Sequence, residues 1–239
     1  MNFTVIIPSR SASNLIPCVE AVRKHEPAAP IVIVDDGVDW DAAAFSSPLG
    51  FTLRTIAKRE SSDEINAASG LKVIPGVSPF IFSRNCNLGI AICAGDVILL
   101  NDDALLETPF GFHELEEASQ ARPEFGVISA VTNVTGNLAQ QPKDVGLREE
   151  PRTLCFVCVY IPRATLDRVG LLDERFTAYG WEDNDYCRRV RDAGLKLGIH
   201  DDCYVNHGAL HSTFRGGPRA AGDIGASREI YLAKWGDTN

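Results

Sequence analysis

The amino-terminal half of the chain alternates short apolar runs with segments whose apolar residues recur at helical spacing. "FTVIIP" (3–8) predicts a buried strand, and "SNLIPCVEAVRKH" (13–25) predicts a helix capped by Ser13, with Leu15, Val19 and Val22 on one face and Pro17 tolerable only in the first turn. "PIVIVDD" (30–36) predicts a second buried strand ended by Gly37. "SRNCNLGIAICAG" (83–95) places Leu88, Ala91 and Ile92 on one helical face, and "DVILL" follows as a strand. Further on, 113–122 predicts a polar surface helix, "FGVISAV" (125–131) and "LCFVCVYI" (154–161) predict strands, and a short helix follows Pro162. Tyr186, Val190 and Ala193, with Gly194 as a stop, predict a helix that begins near Glu182-Asp183-Asn184. The remainder predicts one or two strands and then a Gly-rich tail. The polar stretch 135–153 is too long for a simple connection, which predicts a binding loop or a disordered segment, and 40–81 has weak periodicity.

Strand, helix, strand in repetition is the signature of an α/β fold with a mainly parallel sheet flanked by helices, whose ligands gather at the carboxyl ends of the strands. Asp35-Asp36 and Asp102-Asp103 then fall on the same edge. No internal repeat or linker divides the 239 residues, so one domain is expected, about 1–105 as a nucleotide-sugar-binding half and about 106–239 as an acceptor-binding and catalytic half.

Composition narrows the function. A formal net charge of −9 gives no general basic field, against wholesale binding of nucleic acid. No stretch approaches the ~20 apolar residues of a membrane span and the first residues lack a basic signal region, so a soluble, cytoplasmic protein is expected. Seven scattered cysteines suit reduced, packed thiols, and Cys155 and Cys158, though spaced C-x-x-C, lie in a β-rich run with no second pair at zinc spacing.

Asp is disfavoured in strands and adjacent carboxylates repel, so Asp102-Asp103 at the end of "VILLN" mark either a solvated turn or a divalent cation site. The chain has neither G-x-G-x-x-G nor G-x-x-x-x-G-K-[ST]. A diphosphate without a glycine loop can be held by a hard cation on carboxylate oxygens instead.

"VIIPSR", "IVDDG", "FSRNCNLGIAICAGDVILLNDDALL", "VGLLDERFTAYGWEDNDYCRRVRDAGLKL" and "VNHGALHST" stand in an order that resembles the family 2 glycosyltransferases of the GT-A fold. The resemblance leaves out roughly 40–75 and 135–153. It implies a nucleotide cleft with Pro8, Ser9 and Arg10, a base or ribose contact at Asp36, and Arg84 near the phosphates. Asn85 and Asn87 are alternatively caps of the helix. It implies a ribose-side Asp102, a metal ligand at Asp103 and a second at His207, with His211 competing for that place. Asn101 departs from a strict D-x-D. A mixed oxygen and nitrogen donor set favours Mn²⁺ over Mg²⁺. Glu182-Asp183 fall at the acceptor face, with Asp183 as general base and Glu182 positioning the acceptor. Trp181 and Tyr179 are either sugar-stacking or core aromatics, and Asn184 and Asp185 suit a helix start.

The resemblance therefore implies a metal-dependent, inverting transfer of a sugar from a nucleotide-diphosphate sugar, a UDP-sugar in particular, to the hydroxyl of a saccharide or other acceptor. The rivals are a sugar-1-phosphate nucleotidyltransferase, which would carry a Gly-rich basic loop where this chain has "VIIPSRSASN", and a non-catalytic nucleotide- or glycan-binding module of the same fold.

Overall fold

The computed structural model describes residues 1–40, 48–57, 70–177, 180–210 and 218–237. Tyr179 and His211 lie outside these. The chain runs β1 (Phe3–Ser9), α1 (Ala12–His25), β2 (Ile31–Asp35), α2 (Pro48–Ala57), β3 (Leu71–Pro75), α3 (Phe82–Ala91), β4 (Asp96–Leu100), β5 (Leu105–Leu106), α4 (Gly111–Ala121), β6 (Phe125–Thr132), β7 (Leu147–Glu150), β8 (Cys158–Ile161), α5 (Arg163–Val169), α6 (Glu182–Asp192), β9 (Lys196–Asn206) and α7 (Pro218–Trp235).

Among the described residues nine strands form one sheet in the order β3-β2-β1-β4-β8-β6-β9-β5, with β7 paired to β9. Strands β3, β2, β1 and β4 are parallel, as are β6 and β9. Strand β8 runs antiparallel between β4 and β6. Its start therefore meets the carboxyl ends of the parallel strands, which brings the 154–157 segment to the ligand edge. Alternation along β1 divides the core. Val5 and Ile7 pack with Leu15 and Val19 of α1 and Phe112 of α4, while Ile6 packs with Ile90 of α3 and joins the side that holds Tyr186 and Val190 of α6. Helix α3 crosses β1 so closely that a Cβ on Gly89 would stand 2.5 Å from Ile6 Cγ2, a contact only glycine permits.

Several expectations are corrected. Ser11, rather than Ser13, is the N-cap of α1, so Pro17 sits in its second turn. Helix α3 ends at Ala91, short of Gly95, and β8 begins at Cys158, so 154–157 lies outside the strand. Segment 135–153 is an ordered excursion: β7 pairs with β9, Arg148 pairs with Asp201, and buried Gln140 bonds Ser129 Oγ at 2.6 Å and both backbone groups of Cys155. The Gly-rich tail contains the 18-residue helix α7. All seven cysteines are free thiols. No helix among the described residues is long and apolar enough to cross a membrane.

Candidate active site

At the end of β4 the backbone turns over Asn101–Ala104, held by the Asn101 N–H donating to Val157 O at 2.9 Å and the Ala104 N–H to Asn101 O at 3.1 Å. The turn aims two carboxylates differently. Asp102 Oδ2 accepts from Ser9 Oγ at 2.6 Å, joining the ends of β4 and β1. Burial pushes Asp102 up to about 6, against the Ser9 hydrogen bond, and the Asp103 charge adds to the rise. Asp103 is buried, and its Oδ1 lies 3.0 Å from Nε2 of His207, just past the end of β9.

The orientation of the His207 ring follows from its other nitrogen. Nδ1 donates to Val134 O at 2.8 Å, so Nε2 is the nitrogen turned to Asp103 and the one that would give its lone pair to a cation held between them. A carboxylate oxygen and an imidazole nitrogen converging from β4 and β9 form a donor set suited to Mn²⁺, so these two residues fit a divalent cation.

The residues expected at the nucleotide cleft cluster around the ends of β1 and β2. Pro8 and Ser9 stand opposite Val34 and Asp35. Asp35 closes the following turn, accepting from Gly37 N–H, Val38 N–H and Trp40 Nε1, the last at 2.6 Å. Asp36 is buried and accepts from Asn85 Nδ2 at 2.8 Å. Asn85 therefore ties α3 to β2 and does not cap its helix. Neither does Asn87, which donates to Leu172 O and Glu174. Arg84 Nη2 donates to the carbonyls of Val77 and Pro79, so its fork holds the 77–79 turn at this edge. The Arg10 guanidinium stands 5.5 Å from the Phe80 ring centroid.

Glu182 and Asp183 open α6, whose first turn also carries Asp185. The helix dipole stabilises negative charge there, yet burial outweighs it. Burial pushes Asp183 up to about 6, opposed by hydrogen bonds from the backbone N–H groups of Asn184 and Phe156. Burial and the charge of Asp183 raise Glu182 further, and Glu182 Oε2 is a buried atom without a hydrogen-bond partner among the described residues. Both carboxyl groups are thus raised, Glu182 more than Asp183, and the two titrate as a pair that holds a proton in common. Phe156 contacts Asp183 and the next residue, Val157, accepts from Asn101, so one dipeptide links the two carboxylate centres.

Trp181 precedes the helix at φ 74°, a left-handed conformation unusual for a bulky residue, and its ring packs 5.0 Å from that of Tyr231 in α7. Asp185 is wholly buried and engaged by Arg189, Lys234 and Trp235, which makes it an anchor for α7.

Sequence reasoning missed Asn133 and Val134, which hold the backbone and ring of His207, because nothing local marks a residue that acts on a partner 74 positions away. It also missed Glu114, His200 and Asp202, whose possible ligand atoms lie within 4.8 Å of one another on α4 and β9.

No family model matches the sequence. An uncharacterized protein of Sinorhizobium fredii, y4gI, is 25% identical over 221 residues, which cover 80% of this chain and 23% of that protein. Among solved structures, GalNAc-T7 with UDP, GalNAc and Mn²⁺ matches with a TM-score of 0.71 at 13% identity, over 99% of this chain and 49% of that one. A mannosyltransferase of Pyrobaculum calidifontis in complex with GDP-Man and Mn²⁺ matches at 0.64 and 14%, over 89% and 58%. S. aureus TarS 1-349 with UDP-GlcNAc matches at 0.61 and 14%, over 92% and 61%. This chain thus has the GT-A type of glycosyltransferase fold, and it spans less than two thirds of the length of each of these proteins.

Proposed function

We propose that this chain transfers a sugar from a nucleotide-diphosphate sugar, a UDP-sugar in particular, to an acceptor hydroxyl with inversion at the anomeric carbon. The observation that carries this reading is the convergence of Asp103 and His207 beside the dipeptide that also contacts Asp183. The named solved structures, which hold nucleotide sugars or UDP and, in two cases, Mn²⁺, support it.

Asp103 and His207 would hold a divalent cation, Mn²⁺ by the donor set, which neutralises charge on the departing diphosphate. Ser9, Asp102 and Asp36 line the base and ribose side of the cleft, and Arg84 and Arg10 supply positive charge near it. Ionised Asp183 takes the proton from the acceptor hydroxyl as that oxygen bonds to the anomeric carbon, and the bond from that carbon to the diphosphate oxygen breaks. Protonated Glu182 donates a hydrogen bond that orients the acceptor. Trp181, already packed on Tyr231, forms one wall of the acceptor side.

The experiment is a panel of nucleotide sugars incubated with Mn²⁺, with and without EDTA, and read by release of the nucleoside diphosphate. Release from one donor, abolished by EDTA, is the expected result. Release of pyrophosphate from sugar-1-phosphate and a nucleoside triphosphate would move the chain to the nucleotidyltransferases. Tight nucleotide binding without turnover on any donor or acceptor would make it a binding module.

A further inference from the structure

The geometry points to Asn133 as a positioning residue for the metal-binding histidine, acting with Val134 and made possible by Gly208. The inference rests on the reading of Asp103 and His207 as the cation site. Strands β6 and β9 pair in parallel up to Thr132 opposite Val205. Beyond that point backbone pairing stops, and side chains continue it. Asn133 Nδ2 donates to Asn206 Oδ1 at 2.9 Å, and Asn133 Oδ1 accepts from the His207 N–H at 2.9 Å.

The orientation of both amides is determined from one end. Glu107 is a carboxylate and can only accept, so the Asn206 group 2.9 Å from its Oε1 must be Nδ2. Asn206 Oδ1 then faces the Gly208 N–H at 3.1 Å and the Asn133 amide. Asn133 must present Nδ2 to that oxygen, which leaves its own oxygen for His207. The next carbonyl, Val134 O, accepts from His207 Nδ1 at 2.8 Å. Two consecutive residues thereby hold the backbone and the ring of one histidine, which fixes the direction of Nε2 toward Asp103. Such outer contacts set the affinity of a metal site because a ligand free to rotate loses entropy on binding.

Gly208 permits the close approach. A Cβ there would stand 3.0 Å from Val134 Cγ2 and 3.1 Å from Asn133 Nδ2, so either neighbour would have to yield. Asn133 and Gly208 are exposed, so truncating one or extending the other leaves the core intact.

The test titrates Mn²⁺ into protein saturated with UDP and follows the free-ion signal by electron paramagnetic resonance, for wild type, Asn133→Ala, Gly208→Ala and Asp103→Asn. Asn133→Ala and Gly208→Ala should each weaken Mn²⁺ binding about ten-fold. The thermal transition of the metal-free protein should stay unchanged, and excess Mn²⁺ should recover turnover. Wild-type Mn²⁺ affinity in both variants, with Asp103→Asn impaired, would overturn the positioning role and leave the cation site standing. Unchanged affinity in Asp103→Asn would overturn both. A lowered thermal transition in Asn133→Ala and Gly208→Ala that excess Mn²⁺ does not offset would reduce Asn133 to a structural residue and overturn the inference.

Discussion

Nε2 of His207 lies 3.0 Å from Oδ1 of Asp103, although 104 positions separate the two residues. The contact is assembled by two strand ends, β4 and β9, that are not neighbours in the sheet but are separated by β8 and β6. The direct link is β5, which follows the Asp103 turn and pairs antiparallel with the end of β9, Leu105 opposite Asn206, so this short pairing sets the two side chains side by side.

Removing either ligand should separate metal binding from folding. Asp103→Ala is expected to lower Mn²⁺ affinity by more than the roughly ten-fold typical of a lost supporting contact. UDP affinity should fall in Mn²⁺ buffer and be unaffected in EDTA. Calorimetry in the two buffers checks this, and equal UDP affinity in wild type and variant with Mn²⁺ present would place the cation elsewhere.

Asp36 should act on the donor alone. Its carboxylate accepts from Asn85 Nδ2 at 2.8 Å, which ties it to α3 and away from the acceptor side of β9 and α6. Asp36→Ala is expected to raise the donor KM roughly ten-fold with little change in kcat or acceptor KM. Steady-state kinetics with both substrates varied separates these terms, and an acceptor-only defect would refute the placement.

The parts of this fold legible in the sequence are those with strong local patterns. Strands β1, β2 and β4 are buried on both faces and show as continuous apolar runs, so the ligand edge and the Asp102-Asp103 turn could be located from them. Strand β7, "LREE", has no apolar alternation because it lies at a polar edge and gains its place from pairing with β9. Helix α7 contains Gly222 and Gly225 and lacks a strong apolar stripe; it is anchored near its end by Lys234 and Trp235 on Asp185. Glu182-Asp183 were legible through the resemblance of "GWEDND", whereas the unpartnered Oε2 of Glu182 is a property of burial alone. Asn133 carried no signal because its task is defined only across the β6–β9 register.

Asp185 should govern stability. It has no exposed side-chain surface and bonds Arg189 at 2.9 Å, Lys234 at 2.7 Å and Trp235 Nε1 at 2.8 Å. Breaking a buried charge pair costs about 3–5 kcal/mol because it leaves the partners unmatched. Asp185→Ala should therefore lower unfolding free energy by about 3 kcal/mol or more in urea and expose 218–235 to limited proteolysis. A loss below about 1 kcal/mol, the scale of a surface pair, would show that α7 is held by other contacts.

The pair at the start of α6 yields the last prediction, since its two carboxyl groups should titrate apart. Asp183 must be ionised to accept a proton, and burial pushes it up to about 6, so kcat should rise with pH through that value in wild type. Asp183→Asn keeps the shape and cannot take the proton; kcat should fall by roughly 10²–10⁴ while UDP and Mn²⁺ affinities stay near wild type, and the rise near pH 6 should vanish. Glu182 provides an independent check through stability. Its carboxyl is raised from the ordinary 4.5 to about 8 by burial and by the Asp183 charge. Between those values the folded protein binds more protons at this site than the unfolded chain, so the group favours folding below about 4.5 and that contribution is lost as pH rises through about 8. Glu182→Gln should therefore flatten the decline of unfolding free energy over this window and raise acceptor KM more than it lowers kcat. A normal kcat in Asp183→Asn, or a product that retains the donor's anomeric configuration by NMR, would remove Asp183 as the base of a single displacement.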